Sequence, residues 1–558
     1  MKPTVDYSLY LVTDSTEAIL GKRNLVHVVE EALKGGVTVV QYRDKKSDTG
    51  ALISTAKALH EKCLQHKVPL IINDRVDVAL AVDCEGVHLG QDDMSVFEAR
   101  KILGSTKIIG ATVSTIQEAK VAVEHGADYL GIGTVYATDT KKNTKDIIGV
   151  YGVRQILHHL SHNEKSFSID TVCIGGINAS NIQRVHQQTC ARPGYSKQLS
   201  GVAVVSAIIA SADPQSAAQH LIHLFKNSNR PKFAPRISKL FSSSVKGRKV
   251  LNAIKAVHNS KPLTHNMTNL VVQNFAANVA LCMGASPIMS NNGSEAPDLA
   301  TLEGGLVVNM GTSTPDALLQ YRRAIEAYNA VGNPVVLDPV GAGATTVRRD
   351  ALKYLLNSGY FTVIKGNQSE ILAVAKAAGL PDLSLITASD SSESQQQRGV
   401  DSQGSLSSSQ ALNLVSKLAK WEHTTILMTG STDYLSDGTS TVAIKNGHAY
   451  LGSITGTGCT LGTAISAYLA ASNSSASPEE LKVDSFTAVL AAILHFEIAA
   501  EDAAQKASVE GPGTFVPAFL DSLYKIRMDV VEERLDQGWL DQRKLLEDLD
   551  VDSNQMQE

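Results

Sequence analysis

The chain has 558 residues, a formal net charge of −5, 43% hydrophobic and 19% charged residues. That length exceeds what one hydrophobic core organises, so two large domains or several small ones are expected, of ordinary soluble globular composition. The weak negative charge gives no electrostatic reason to expect nucleic acid, and no apolar run approaches a membrane span.

The start, Met1–Asp6, has no apolar signal region and runs directly into an apolar strand. Cys63, Cys84, Cys173, Cys190, Cys282 and Cys459 are scattered without a Cys-x-x-Cys pair, which argues against a zinc cage or disulfide framework. A reducing, cytoplasmic setting is the expectation.

Short β-rich runs recur at Ser8–Val12, Thr38–Tyr42, Pro69–Asn73, Gly86–Leu89, Lys107–Ala111, Asp128–Ile132, Thr171–Ile174 and Val202–Val205. Amphipathic helical segments such as Leu25–Leu33, Ser95–Leu103 and Ile116–His125 lie between them. Eight strand–helix units in about 225 residues match a (β/α)8 TIM barrel in count and length; an open doubly wound sheet is the alternative, because sequence does not reveal strand order.

A barrel places its chemistry at the carboxyl ends of its strands. Those ends read Gln41–Lys45, Asn73–Arg75, His88–Asp93, Thr138–Lys142, Gly175–Asn178 and Val205–Ser206. Asp74 and Asp93 on neighbouring strands suit Mg²⁺, which takes a few carboxylates and shares its other positions with phosphate oxygens. Arg43, Lys45 and Lys141 supply cations, while Gly175, Gly176 and Ser206 fall where barrels hold a phosphate through backbone N–H groups. The composite is a diphosphate–Mg²⁺ site beside a second phosphate site.

Gln-Tyr-Arg-Asp-Lys, Ile-Asn-Asp-Arg, Val-His-Leu-Gly-Gln-Asp-Asp, Gly-x-Gly-Thr-Val-Tyr-x-Thr-x-Thr-Lys and Ile-Gly-Gly-Ile resemble the motifs of thiamine phosphate synthase over residues 1–228. That family joins 4-amino-2-methyl-5-hydroxymethylpyrimidine diphosphate to a thiazole phosphate. The resemblance implies that Gln41, Arg43, Lys45, Asn73 and Lys141 contact the pyrimidine diphosphate, with Asp74 and Asp93 on Mg²⁺. Thr112 stands where many relatives carry a serine of a Ser-x-His run. Thr138, Asp139, Thr140, Gly175, Gly176, Val205 and Ser206 would hold the thiazole phosphate.

Residues 229–237, polar, basic and interrupted by Pro231 and Pro235, read as a solvated linker. Helical spacing resumes from Ile237 to Val257 and opens a second domain over 238–540. Strand-like runs then appear at Gly305–Met310, Pro334–Leu337, Phe361–Ile364, Thr424–Met428, Tyr434–Ser436, Val442–Ile444 and Ala449–Leu451. This is an α/β sheet pattern, in which ligands sit at strand carboxyl ends. The ends here are Asn309–Thr312, Asp338–Ala344, Lys365–Glu370 and Thr429–Ser431. A glycine turn, Gly456–Thr457–Gly458–Cys459, then leads into a helix read from Thr463, its backbone N–H groups offered to a phosphate. The Ser/Gln-rich stretch 384–410 has too little apolar content to pack and reads as a surface insertion; an acidic tail, 541–558, follows one or two peripheral helices.

Thr264–Asn269, Gly284–Met289, Leu337–Thr345, Lys365–Gly366–Asn367–x-x-Glu370, Gly456–Cys459 and Gly511–Gly513 resemble hydroxyethylthiazole kinase, of ribokinase-like fold. That family moves the γ-phosphate of ATP onto the thiazole's primary alcohol. The resemblance implies Asn266, Met289 and Gly456 at the thiazole, Lys365 and Thr429 at ATP, and Asp338 and Glu370 near Mg²⁺. Cys459 occupies the place of the usual aspartate base, its thiol expected to be acidified by the helix start. The kinase product is a synthase substrate, so the expectation is one bifunctional thiamine-biosynthetic transferase using Mg²⁺ and ATP. It would form a homo-oligomer, with no nucleic-acid or membrane partner. A catalytically silent pathway sensor and an enzyme with one live half are the rivals.

Overall fold

The computed structural model describes residues 2, 4–136, 147–162, 164–179, 181–189, 197–226, 243–380, 383–387, 406–535 and 547–548. The chain forms two compact units, residues 1–231 and 232–558. The linker at 229–237 and most of 384–410 and 541–558 lie outside the described residues.

In the first unit eight parallel strands close on themselves: β1 (Leu9–Val12), β2 (Val39–Tyr42), β3 (Leu70–Asn73), β4 (Gly86–Leu89), β5 (Ile108–Val113), β6 (Tyr129–Gly133), β7 (Asp170–Ile174) and β8 (Gly201–Val204). Pairing of Leu9 with Val202 joins β8 to β1, which decides for the barrel over an open sheet. Side chains alternate across each strand. Leu9, Leu11, Val40, Leu70, Ile72, Val87, Ile109, Leu130 and Val202 pack outward in the large core that includes the helices. Tyr10, Val39, Ile71, Ile108, Tyr129, Val172 and Ala203 form a separate interior core. By the same alternation Gln41, Asn73, His88 and Thr112 lie on the inward face, at or near the carboxyl ends of β2, β3, β4 and β5. Two glycines make room for the rings inside: a Cβ on Gly110 would fall 2.1 Å from the Tyr129 ring, and one on Gly131 3.0 Å from His88.

The second unit is a nine-stranded sheet: β9 (Leu263–Met267), β10 (Ser286–Ile288), β11 (Gly305–Asn309), β12 (Val335–Asp338), β13 (Val363–Asn367), β14 (Thr425–Thr429), β15 (Asp433–Ser436), β16 (Thr441–Ile444) and β17 (Glu547–Asp548). Its order is β10-β9-β11-β12-β13-β14-β15-β16-β17, parallel from β10 to β14 and antiparallel thereafter. The carboxyl ends of β9 and β11–β14 therefore share one edge.

Several local expectations change. Strands β9 and β10 were not anticipated, because Thr264, His265 and Asn266 read as polar although all three are buried. Ala449–Leu451 is part of a 3₁₀ turn, Ala449–Ser453, not a strand. Glu547–Asp548, within the stretch read as an acidic tail, pairs with β16. The helix after the glycine turn starts at Thr457 rather than Thr463, so Gly458 and Cys459 are in its first turn. Helices Leu383–Thr387 and Ser408–Glu422 occupy the ends of the segment read as an insertion; the Ser407/Gln410 capping box starts the second. Helix Ser485–Ala504, apolar on nearly every face, is buried inside the second unit. Among the described residues no helix is long and apolar enough to cross a membrane.

Candidate active sites

At the barrel rim, Gln41 is 4% exposed and donates its Nε2–H to the Tyr10 hydroxyl at 2.9 Å. Asp74, just past β3, adopts φ +63°, a left-handed conformation that aspartate tolerates better than most residues. Its Oδ2 lies 2.9 Å from the Lys45 ammonium. Asp93 turns back to accept the Gly90 N–H at 2.7 Å. Burial, and then the neighbouring Asp74 carboxylate, push the Asp93 carboxyl up. Two crowded hard-oxygen acids fit Mg²⁺, which keeps several waters and shares itself with substrate phosphates. Among the described residues no cluster of three or more His, Cys, Asp or Glu side chains forms a complete protein cage.

Arg43 Nη1 lies 3.7 Å from Asp14 Oδ2, and the Arg43 backbone N–H donates to Thr13 Oγ1 at 2.9 Å. Asp14 is a rim acid the sequence reading passed over; its signal was the Thr13–Asp14 polar end of β1. On the opposite side of the barrel sequence, Gly175 (φ +111°) would place a Cβ 2.4 Å from Thr134 Cγ2, so only glycine fits. Gly176 follows at φ +64°, its carbonyl held by Asn181 Nδ2 at 2.8 Å. Val205 precedes the short helix Ser206–Ile209, and Ser206 is exposed. Thr138, Asp139, Thr140 and Lys141 lie outside the described residues.

In the second unit, Asn309 and Asp338 are register partners at the ends of β11 and β12. Asn309 Nδ2 donates to Asp338 Oδ2 at 2.8 Å, while Asn309 Oδ1 accepts from Gly311 N at 2.9 Å and Asn269 Nδ2 at 3.2 Å. Asn269 Nδ2 also lies 3.9 Å from Cys459 Sγ. Neither Asn269 nor Asn309 was singled out from sequence. Asn266 was, and it is held within the fold. Fully enclosed, its Nδ2 donates to Thr264 O at 2.9 Å and its Oδ1 accepts from Thr463 Oγ1 at 2.7 Å, tying β9 to helix Thr457–Asn473. Met289 is half-buried just beyond β10.

Lys365 also sits differently from the expected ATP contact. It is 2% exposed, with its ammonium 3.0 Å from Asp338 Oδ1 and donating to the Gly458 carbonyl at 2.9 Å. Burial works against its charge, but the Asp338 carboxylate outweighs that and raises the lysine's pKa. It braces the glycine turn from beneath. Glu370 has both oxygens committed, Oε1 to Gly341 N and Oε2 to Asn367 N, each at 2.8 Å. With Asn367 it forms the capping box of helix Gln368–Ala377, so it anchors the Asp338–Ala344 loop instead of reaching outward. Arg348 ties that loop to the end of β11, donating from Nη1 to Val340 O at 2.8 Å and Met310 O at 3.0 Å and from Nη2 to Gly311 O at 3.1 Å.

Gly456 has φ +90°, and a Cβ there would fall 2.3 Å from Val272 Cγ1. No side chain caps helix Thr457–Asn473, so the first-turn N–H groups face the site bare. A Cβ on Gly458 would meet nothing within 4 Å, which leaves open space over that turn. Thr429 ends β14, where Gly430 N donates to Asp433 Oδ1 at 2.8 Å. The expected acidification of Cys459 is reversed: burial, and then Asp338, push its thiol up to about 11.

Two outcomes follow from this geometry. Because the Asp93 carboxyl is raised on folding, the metal-free barrel binds more protons than the unfolded chain above the ordinary aspartate range, and loses stability as pH rises there. Mg²⁺ should therefore raise the barrel's thermal midpoint more at pH 8 than at pH 4.5, measured by calorimetry, and Asp93→Asn should abolish the difference. Lys365→Met strands Asp338 as a buried unpaired charge and should destabilise the second unit by about 3–5 kcal/mol. A denaturant titration in which Lys365→Met matches wild-type stability and only KM for ATP rises would return Lys365 to a substrate contact.

Residues 9–208 match the thiamine monophosphate synthase family model, and residues 254–529 match the hydroxyethylthiazole kinase family model. The chain is 38% identical over 551 residues to a probable thiamine biosynthetic bifunctional enzyme of Schizosaccharomyces pombe, covering 98% of this chain and 99% of that protein. It is 36% identical to the thiamine biosynthetic bifunctional enzyme of Saccharomyces cerevisiae, covering 94% and 96%. A thiamine-phosphate synthase of Clostridium botulinum is 44% identical over 218 residues, 39% of this chain and 98% of that one. With a synthase barrel followed by a kinase unit of ribokinase-like α/β type, the chain belongs to the family of thiamine biosynthetic bifunctional enzymes.

Proposed function

We propose that the second unit phosphorylates 4-methyl-5-(2-hydroxyethyl)thiazole with ATP, and that the barrel condenses the product with the pyrimidine diphosphate to give thiamine phosphate and diphosphate. The observation that carries this reading is the gathering of unlike polar groups at one end of each sheet. Gln41, Lys45, Asp74, Asp93 and Thr112 cluster on adjacent barrel strands, while Asn309, Asp338 and Cys459 meet at an uncapped helix start.

In the barrel, the C–O bond between the pyrimidine methylene and diphosphate breaks, and the thiazole nitrogen takes the resulting carbocation. Arg43, Lys45 and Lys141 would stabilise charge gathering on the departing diphosphate, with Gln41, Asn73 and Thr112 holding the ring. Asp74 and Asp93 would hold Mg²⁺, which would further neutralise that charge. Gly175, Gly176, Val205 and Ser206, together with Thr138, Asp139 and Thr140, would hold the thiazole phosphate.

In the kinase unit, the bare N–H groups from Gly456 to Cys459 would cradle the moving phosphoryl group. Met289 and Gly456 would border the thiazole, and Thr429 the nucleotide. Asp338 would act near Mg²⁺ through its hydrogen-bonded neighbours, and Glu370 by fixing the loop. Phosphoryl transfer has a loose transition state, so the alcohol proton leaves late and a weak base suffices. Leu270 and Val271, 80% and 75% exposed beside Asn269, support a homo-oligomer built around this site. A cytoplasmic location fits the scattered free cysteines.

Thiazole alcohol, ATP, Mg²⁺ and the pyrimidine diphosphate incubated with the full chain should yield thiamine phosphate by mass spectrometry; phosphorylated thiazole accumulating without it would leave one live unit. A catalytically silent sensor would give neither product. With its thiol neutral at pH 7, Cys459 contributes modestly: Cys459→Ala should lose about tenfold or less in kinase kcat, below the usual range for a general base. Cys459→Asp should keep or raise turnover. A correctly folded Cys459→Asp enzyme without kinase activity would refute the base assignment.

A further inference from the structure

Five side chains form a continuous hydrogen-bonded chain through the barrel interior. Gln41 Nε2 donates to Tyr10 OH at 2.9 Å, and Tyr10 OH meets Tyr129 OH at 2.6 Å. Tyr129 OH meets His88 Nδ1 at 2.8 Å, and His88 Nε2 meets Thr112 Oγ1 at 2.8 Å. The chain begins on β2, crosses through β1, β6 and β4, and ends on β5. Gly110 and Gly131 supply the space it occupies.

The direction of the chain follows from its first link. An amide nitrogen only donates, so Tyr10 accepts from Gln41 and passes its own proton to Tyr129. Tyr129 then donates to His88 Nδ1. With Nδ1 accepting, the one ring proton sits on Nε2. Thr112 Oγ1 accepts that proton, and its own O–H remains for a ligand. In the opposite direction the Tyr10 proton would have no acceptor, since Gln41 offers it only N–H groups. No donor among the described residues reaches Gln41 Oε1, so the chain presents an acceptor at one end and a donor at the other.

We propose that this one-way chain selects an aminopyrimidine over its oxo analogue, by committing Thr112 as a donor and Gln41 Oε1 as an acceptor. An aminopyrimidine offers an unprotonated ring nitrogen to accept and an amino group to donate. The 4-oxo lactam reverses both, setting donor against donor and acceptor against acceptor. Tyr10, Tyr129 and His88 are positioning residues that touch no substrate. The inference rests on the assignment of Gln41 and Thr112 to the pyrimidine site.

The full-length chain labelled with ¹⁵N-histidine provides a test that needs no turnover. In long-range ¹H–¹⁵N spectra, the resonances lost in His88→Gln should show a proton on Nε2 and none on Nδ1. A proton on Nδ1 overturns the proposal. Tyr129→Phe cuts the chain away from the substrate; it should raise KM for the amino substrate, hold kcat, and reduce the kcat/KM preference over the 4-oxo diphosphate by about tenfold or more. An unchanged preference overturns the proposal, and if Tyr129→Phe fails to fold, the same measurement on His88→Gln replaces it. Gln41→Leu and Thr112→Val that both leave the pyrimidine KM unchanged would refute the site assignment itself, whatever the tautomer.

Discussion

One buried ammonium organises the kinase site. Lys365 projects from β13, neutralises Asp338 on β12 and holds the Gly458 carbonyl in the first turn of helix Thr457–Asn473. Taking both charges out of water costs several kcal/mol each, and the pair repays this only because its geometry is good and Asn309 satisfies the remaining Asp338 oxygen. The glycine turn, the Asn309 corner and the Asp338–Ala344 loop thus share one electrostatic centre. Glu370 and Arg348 extend that centre through backbone groups alone, so the loops need no particular side chains of their own.

The barrel solves the same problem with neutral groups. Its interior core is apolar at Val39, Ile71, Ile108 and Val172, and polar groups appear among them as linked hydroxyl, imidazole and amide partners. A buried hydroxyl without a partner costs about 1–3 kcal/mol, so each member of the chain depends on the next. Charge is kept for the rim, where Lys45 faces Asp74 in partial solvent and Arg43 reaches the buried Asp14.

Much of this was legible before any coordinates. Strand–helix alternation gave the barrel's units, and polar strand ends marked the rim, because inward and outward faces alternate and only the rim meets solvent. Closure was not legible, since it depends on β1 meeting β8. The tyrosine–histidine chain was hidden because Tyr10 and Tyr129 read as apolar strand residues, and their meeting is a long-range contact. Burial accounts for the remaining differences. Asn266 and Lys365 are enclosed and hydrogen-bonded within the fold, as is Asn309, while Asn269 is half-buried beside Cys459. Cys459 shows the same effect: a helix start argues for an acidic thiol, and desolvation beside Asp338 wins.

The uncapped start of helix Thr457–Asn473 also couples ligand supply to persistence of the fold. A side-chain cap there would add about 1 kcal/mol, and the chain forgoes it to keep the N–H groups open. An anion that fills the turn binds the native state and not the unfolded one, so occupancy itself shifts the folding equilibrium toward the native side. With a phosphate held there as proposed, the empty enzyme would be the more readily unfolded form, and its lifetime would rise with the concentration of the phosphates it handles.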